Sequence, residues 1–403
     1  MIATVHPHLL RGRVEIPSSK SYAHRLLIAA ALSDAPTEVR MNALNNDIIA
    51  TADCLRALGA KIDRTDAGFL VHPIQAAPDG EHTLFCGESG STLRFMIPVA
   101  AALGARCTFT GAGRLPERPN RILTDALNAH GVHADSDLLP MRLSGRLTGG
   151  AYPIAGNVSS QYITGLLLAL PLCAQDSQII LTTHLESAAY IDITLETLTP
   201  FGIRIERTKS GWRIPGGQHY RSPKSINAEG DWSGAAFWCA ANRLGGEVEC
   251  LGLNHRSVQG DRAILEMLNQ LGGEIDVSGT PDLVPALAVA AAAHPGITRI
   301  TGAGRLRIKE SDRLRTVADM LRALGGQVDE LDDGLVIHGG APLRGGTVDG
   351  CNDHRIVMAA AIAGTVAQGP VHITDAQAVS KSYPAFFNAF NALGGLSNVE
   401  PDR

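Results

Sequence analysis

A helical phrase that closes on an apolar residue and a glycine returns six times along this 403-residue chain. The copies are CLRALGAKID (54–63), ALNAHGVHAD (126–135), LETLTPFGIRIE (195–206), LEMLNQLGGEID (265–276), MLRALGGQVDE (320–330) and AFNALGGLSNV (389–399). Their glycines are Gly59, Gly131, Gly202, Gly272, Gly325 and Gly394, spaced by 72, 71, 70, 53 and 69 residues. Self-similarity at a nearly fixed period marks a chain built from one supersecondary unit used repeatedly. Each glycine stands where a helix gives way to a short strand-like run, the place where a left-handed C-cap is expected.

A second series runs beside the first. Its members are SSKSYAHRLLIAAAL (18–32), GESGSTLRFMIPVAAAL (87–103), NVSSQYITGLLLALPL (157–172), GDWSGAAFWCAA (230–241), TPDLVPALAVAAAA (280–293) and NDHRIVMAAAIAG (352–364). Each is apolar nearly all round after a polar start, so each predicts a buried helix. The helices of the first series carry charges such as Arg56, Asp125 and Arg322 on one face and predict a wet outer layer. The chain therefore reads as six units, each of two helices and a few short strands, in an α/β fold. Two domains are favoured over a solenoid. The 53-residue spacing breaks the rhythm, and WRIPGGQHYRSPKSINAEGD (212–231) reads as a crossing between domains.

Bulk composition narrows the function classes. Aromatic residues are only 4%, so the core is aliphatic and rich in alanine. The net charge of −5, with no Lys/Arg-rich run, offers nucleic acid no field. No apolar run is long enough to span a membrane, and the N-terminus lacks a signal-peptide pattern. The seven cysteines form no CxxC pair and predict reduced thiols in a cytoplasmic protein. The 14 histidines show no metal-binding spacing.

The polar starts of the buried helices divide by half. The first three carry hydroxyls and cations: Ser19, Lys20 and Ser21; Ser89, Gly90, Ser91 and Arg94; Ser159, Ser160 and Gln161. The last three carry Asp231, Asp282 and Asp353, the last followed by His354 and Arg355. Helix N-termini offer free N–H donors and a positive dipole end, so the first half predicts an anion floor. The carboxylates of the second half predict acid/base groups. Ser, Asp and Asn also cap helices with no further purpose, and that accounts for Asp231. It does not account for Lys20, a cation at the positive end of a helix just after Ser19, a good N-cap. Nor does it account for Arg94 or Arg355. Further cations stand at helix entries: Arg118 and Arg121, Lys309 and Arg313 beside Glu310, and Lys381. Together they predict small polyanionic substrates.

These residues resemble the 5-enolpyruvylshikimate-3-phosphate synthase family of enolpyruvyl transferases. SSKSYAHR, GESGSTLR, LPERP, GNVSSQYITGLL, ESAAYIDITLETL, GDWSGAAF, KESDRL, NDHR and KSYP stand in family order over nearly the whole chain. The resemblance implies two domains of three βαβαββ units each, with buried parallel helices covered by sheets. One domain is 19–226, which binds shikimate phosphate. The other is 1–18 plus 227–403, with the active site in the cleft between them. It implies enolpyruvyl transfer from phosphoenolpyruvate to the 5-hydroxyl of shikimate 3-phosphate, with no metal, no cofactor and a monomeric chain. By the same resemblance, phosphoenolpyruvate falls to Lys20, Gly90, Arg94, Arg118, Arg313, Arg355 and Lys381. Shikimate 3-phosphate falls to Ser21, Arg25, Ser159, Ser160, Gln161, Ser187, Tyr190, Asp282 and Lys309. Lys20, Asp282 and Glu310 are the implied catalytic residues, and substrate phosphate would offset the charge of Lys20.

Two rival readings exist. The sister transferase acting on UDP-N-acetylglucosamine carries a catalytic cysteine on a mobile loop, and GAGRLPERP (111–119) has none in the corresponding region. A non-catalytic anion-binding relative would have no use for Lys20, Asp282 and Glu310 together. The chain departs from the family at Glu88, where asparagine is usual, and at Ser91, where threonine is usual. A carboxylate beside Gly90 would repel an anionic substrate, so Glu88 is expected to turn away and find a cation or a backbone N–H.

Overall fold

The helices that the apolar series predicts are buried along nearly their whole length in the computed structural model, which describes residues 1–401. The α-helices among these residues are α1 (Lys20–Ala31), α2 (Asn46–Ala57), α3 (Gly90–Leu103), α4 (Arg121–Asn128), α5 (Ser160–Ala169) and α6 (Ala188–Leu198), followed by α7 (Trp232–Arg243), α8 (Ile264–Met267), α9 (Val284–Ala293), α10 (Arg313–Ala323), α11 (His354–Gly364) and α12 (Phe386–Ala392). The apolar series gives α1, α3, α5, α7, α9 and α11. In α11 every residue is buried, and α9, apolar all round, is buried from Val284 to Ala292. Arg56, Asp125 and Arg322 of the outer helices lie in solvent. Helix α2 has its start sealed by Asn45, whose side chain accepts from Ile48 N at 3.0 Å. Asp47 in its first turn and Arg56 in its last both suit the helix dipole.

Among the described residues, five four-stranded sheets share one order. In one, strand 81–85 runs parallel to 106–110, which pairs antiparallel with 141–145, which pairs antiparallel with 132–134. The parallel pair needs a helical crossover and the last two strands need only a turn, so this order is what a βαβαββ segment yields. The same order recurs for 151–154, 177–181, 211–214 and 206–208, and for 274–276, 296–301, 334–339 and 327–331. Two sheets borrow a distant strand. Ser225–Asn227 lies parallel to Thr37–Arg40, with Ile226 opposite Val39. Ile2–His6 lies between 371–373 and 396–400. The predicted crossing stretch is therefore partly sheet, since it holds the end of strand Gly211–Ile214 and all of Ser225–Asn227.

One unit departs from the predicted pattern. Strand Arg11–Glu15 pairs in parallel with Glu247–Leu251, and that sheet has no hairpin. The strand after Gly272, Glu274–Asp276, opens the next sheet instead. Loss of a hairpin explains why the Gly272–Gly325 spacing is short. The helix before Gly272 is also reduced, to the single turn of α8 between two 3₁₀ segments.

The chain divides into two compact units, residues 18–229 and residues 1–17 with 230–403. Each has its own apolar core. Small residues let the inner helices approach closely. A side chain on Gly165 of α5 would collide with the Arg94 carbonyl and the Pro98 ring of α3. Pro98 has no N–H to bond that carbonyl, so proline and glycine together set how α3 meets α5. Arg94 lends its carbonyl to this contact, and Gln161 lies one turn before Gly165.

Candidate active site

In residues 18–229 the polar helix starts converge on a few donors. Ser19 takes the N-cap position of α1, yet its hydroxyl makes no cap bond and, although fully buried, finds no partner among the described residues. This differs from the predicted cap and leaves the first N–H groups of α1 without that acceptor. Lys20 Nζ donates to Asp47 Oδ2 at 3.0 Å. An internal carboxylate from the first turn of α2 thus offsets the cation, so substrate phosphate is not its only counter-charge. Asp47 also anchors α3, because its carbonyl accepts from Thr92 Oγ1 at 3.3 Å.

Helix α3 begins at Gly90, capped by Ser89. The Arg118 guanidinium lies over Gly90, where a Cβ would stand 2.8 Å from Nη1. Arg118 is buried and its Nε has no acceptor. A helix N-terminus with a guanidinium across it is a ready anion site. Arg94 is more fully engaged. Its Nη1 donates to Gln161 Oε1 at 2.7 Å and its Nε to Asn120 Oδ1 at 3.1 Å, while Gln161 Nε2 donates to Ser91 Oγ at 2.9 Å. Glu88 turns its carboxylate over Gly113, whose φ of +57° and close carboxylate both favour glycine.

Arg25 ties α1 to α5 and α6. Its donors reach Ser21 O at 2.6 Å, Thr194 Oγ1 at 2.8 Å, Tyr190 O at 3.0 Å and Thr164 Oγ1 at 3.3 Å. Burial pushes its pKa down to about 9, so it stays charged at neutral pH. Ser159 caps α5 through Gln161 N, and Ser160 is buried beside it. Ser187 sits in left-handed backbone (φ +52°, ψ +43°) at the start of α6, with Tyr190 N bonded to its carbonyl. A non-glycine residue held there costs on the order of 1 kcal/mol or more, and such strain clusters at binding sites.

In the other unit, a single guanidinium organises the site. Arg313 opens α10 and is only 1% exposed. Its Nε donates to Asp353 Oδ2 at 2.8 Å, its Nη1 to Asp282 Oδ1 at 2.9 Å and its Nη2 to Glu310 Oε2 at 2.8 Å. Arg355 reaches Asp282 Oδ2 at 3.1 Å, and Lys309 lies 3.7 Å from Oδ1. Burial alone would raise the pKa of Asp282, but Arg355, Lys309 and Arg313 outweigh it and hold the carboxyl far below the usual range. Asp353 behaves likewise: burial is outweighed chiefly by Arg313. Asp353 also caps α11, as Asp231 caps α7, so both do structural work at helix starts. Lys381 Nζ donates to the Asn352 carbonyl at 2.6 Å. Cys351 and Asn352 both have positive φ, which strains the turn that presents Asp353, His354 and Arg355.

Sequence reasoning missed Asp47, Asn120 and Asp261. Asp47 had a visible signal, an acid just inside a helix start. Asp261 had none. It is buried, and Ser233 at the start of α7 donates to its Oδ2. Burial and the Asp282 carboxylate push its pKa up to about 6, against Arg355, the Ser233 bond and with a further push from Asp231. A raised carboxyl pKa stabilises the fold below the unfolded value, and that contribution is lost as pH rises through about 6. Asp261→Asn keeps an acceptor for Ser233 and carries no charge. It is expected to be more stable than wild type at pH 8 by about 1–3 kcal/mol, with the gap closing below about pH 4. Urea unfolding at the two pH values checks this.

All seven cysteines are unbridged. Among the described residues no cluster of His, Cys, Asp and Glu has the makings of a metal site. No helix among them is long and apolar enough to cross a membrane.

Comparison with known proteins places these motifs. The family model described as EPSP synthase (3-phosphoshikimate 1-carboxyvinyltransferase) matches residues 5–390. The chain is 41% identical to the 3-phosphoshikimate 1-carboxyvinyltransferase of Clostridium kluyveri over 416 residues, covering 97% of each chain. It is 40% identical to that of Clostridium acetobutylicum, again with 97% of each covered. The solved EPSP synthase of Acinetobacter baumannii superposes with a TM-score of 0.82 at 24% identity, covering 99% of this chain and 100% of that one. At that identity the superposition speaks for the two-domain fold alone.

Proposed function

The chain belongs to the EPSP synthase family, and we propose on that premise that it transfers the enolpyruvyl group of phosphoenolpyruvate to the 5-hydroxyl of shikimate 3-phosphate, releasing phosphate. The observation that carries this reading is the family match over residues 5–390 with Lys20, Asp282 and Glu310 all in place. The reaction needs cations for two phosphates and two carboxylates, and proton carriers that work in both directions. The chain supplies both.

Shikimate 3-phosphate is assigned to Ser21, Arg25, Ser159, Ser160, Gln161, Ser187 and Tyr190 at the starts of α1, α5 and α6. Its ring hydroxyls fall to Asp282, with Lys309 alongside. Phosphoenolpyruvate is assigned to Lys20, Arg94, Arg118 and the Gly90 N–H from one unit, and to Arg313, Arg355 and Lys381 from the other. Asp282 takes the proton of the 5-hydroxyl as that oxygen bonds to C2 of phosphoenolpyruvate. The C2=C3 electron pair takes a proton at C3 from Glu310, giving a tetrahedral intermediate. Return of a C3 proton to Glu310 restores the alkene, and the C2–O bond to phosphate breaks as Lys20 stabilises the departing charge. The proton on Asp282 leaves with phosphate, so the sum is one hydroxyl proton and one phosphate, with its bridging oxygen, released.

The acceptor is tested by mass spectrometry of reactions that offer phosphoenolpyruvate with either shikimate 3-phosphate or UDP-N-acetylglucosamine. The enolpyruvyl ether is expected with the first alone. Product from the amino sugar would favour the sister transferase.

Because each unit carries part of the residue set, the reaction requires both to act on one substrate pair, and substrate anions should draw them together. Small-angle scattering with shikimate 3-phosphate and an unreactive second anion is expected to show a smaller radius of gyration than the protein alone. An unchanged radius would speak against closure. A soluble, monomeric and cytoplasmic enzyme is part of this reading.

A further inference from the structure

Two of the cations assigned to phosphoenolpyruvate are held by the two carboxylates assigned to proton transfer. Asp282 Oδ1 accepts from Arg313 Nη1 at 2.9 Å, and its Oδ2 accepts from Arg355 Nη2 at 3.1 Å. Arg355 Nη1 adds a bond to the Asp282 carbonyl at 3.2 Å, and Lys309 Nζ stands 3.7 Å from Oδ1. Glu310 Oε2 takes Arg313 Nη2 at 2.8 Å. These N–H groups can serve the Asp282 carboxylate or an incoming anion, but not both in one geometry.

We propose that Asp282 is a latent base, pinned by Arg355 until phosphoenolpyruvate takes that cation for itself. The inference rests on the function proposed above and concerns how that site is switched on. Arg313 is the cation least free to move, since Asp353, fully buried, holds its Nε and lies 3.3 Å from its Nη2. Arg355 is the one phosphoenolpyruvate can draw away. Once it turns to the substrate, Asp282 faces Asp261, Glu310 and the substrate anion with less cationic compensation. Each of these raises the carboxylate's affinity for a proton. Asp282 can then accept the hydroxyl proton as the new C–O bond forms. Without phosphoenolpyruvate the acceptor meets a base too weak to deprotonate it, so no hydroxyl is activated before its partner has bound. Linkage makes the effect reciprocal: Asp282 competes with phosphoenolpyruvate for the same donors and weakens its binding.

Calorimetric titration with phosphoenolpyruvate alone, where no turnover occurs, tests this. Asp282→Asn removes the competing charge and is expected to bind phosphoenolpyruvate roughly five- to tenfold more tightly than wild type. With both substrates it is expected to release no phosphate. Equal or weaker binding by a folded variant overturns the proposal. A second measurement needs no variant. In wild type with ¹³C-labelled aspartate carboxyls, one resonance that stays ionised through the acid range should titrate at higher pH once phosphoenolpyruvate is bound. Aspartate titrations identical with and without phosphoenolpyruvate overturn it too. Failure of the functional reading is separable, because it shows as wild-type protein that releases no phosphate from the two substrates.

Discussion

Lys20→Met is expected to lower kcat by about 10³-fold, the scale on which one preorganised charge at a reacting phosphate contributes to catalysis. Lys20 opens α1 where the helix dipole is unfavourable, so it adds nothing to the helix itself. Its partner Asp47 lies 3.0 Å away on α2, with both side chains mostly covered. Charge against charge holds the lysine in place and limits its freedom to wander. Without Asp47, loss of the cation would have relieved the dipole and stabilised the empty protein. With it, the variant leaves a mostly buried carboxylate short of its counter-charge. The expected result is therefore a loss of about 1 kcal/mol in unfolding free energy. Steady-state kinetics and urea unfolding read the two effects separately. Turnover near wild type would remove Lys20 from the reaction, and a gain in stability would mean that Asp47 does not depend on it.

Arg313→Met is expected to cost about 3–5 kcal/mol, the largest effect on stability of any substitution argued for this chain. The guanidinium binds three carboxylates from three segments: Asp282 before α9, Glu310 before α10 and Asp353 at the start of α11. Asp353 is wholly buried, so the variant strands a charge in the core. Asp353→Asn in the same chain should recover part of the loss, as coupled neighbours do. The pH dependence has a defined sign. Asp282 and Asp353 have depressed carboxyl pKa values, so their stabilising contribution is present above the unfolded value near 4 and is lost as pH falls through the folded values. Wild type should therefore lose stability below about pH 4, and Arg313→Met should lose less there because its Asp353 is no longer held down. Urea unfolding between pH 3 and 7 checks this. A single-variant loss under 1 kcal/mol would mean that Arg313 is not the hub described.

The inner helices were legible because burial on all sides leaves a plain mark: unbroken apolar runs such as VPALAVAAAA and RIVMAAAIAG. The helix–glycine phrases revealed the period for a similar reason, since a left-handed turn after a helix favours one residue type. Pairing between distant strands left no such mark. Nothing in SIN (225–227) says that it will lie beside TEVR (37–40), because strand pairing runs through backbone groups common to every residue. The missing hairpin before α9 was visible only as a shortened interval. At the site, cations at helix entries could be listed from the sequence, but their partners could not. Asp47 lies 27 residues from Lys20, and Asp282 lies 73 from Arg355. The first contact joins the two helices of one unit and the second joins two units, and neither is encoded in the pattern of a single helix. That is also why Ser19 read as a cap: its sequence position is right, and only the geometry shows a hydroxyl without a partner.

The central claim is that this chain joins phosphoenolpyruvate to shikimate 3-phosphate. The most direct measurement is phosphate release by the purified protein with neither substrate, with each alone and with both. Release only when both are present, in step with formation of the enolpyruvyl ether, is the predicted result. Release from phosphoenolpyruvate alone, or none with both, would contradict the account.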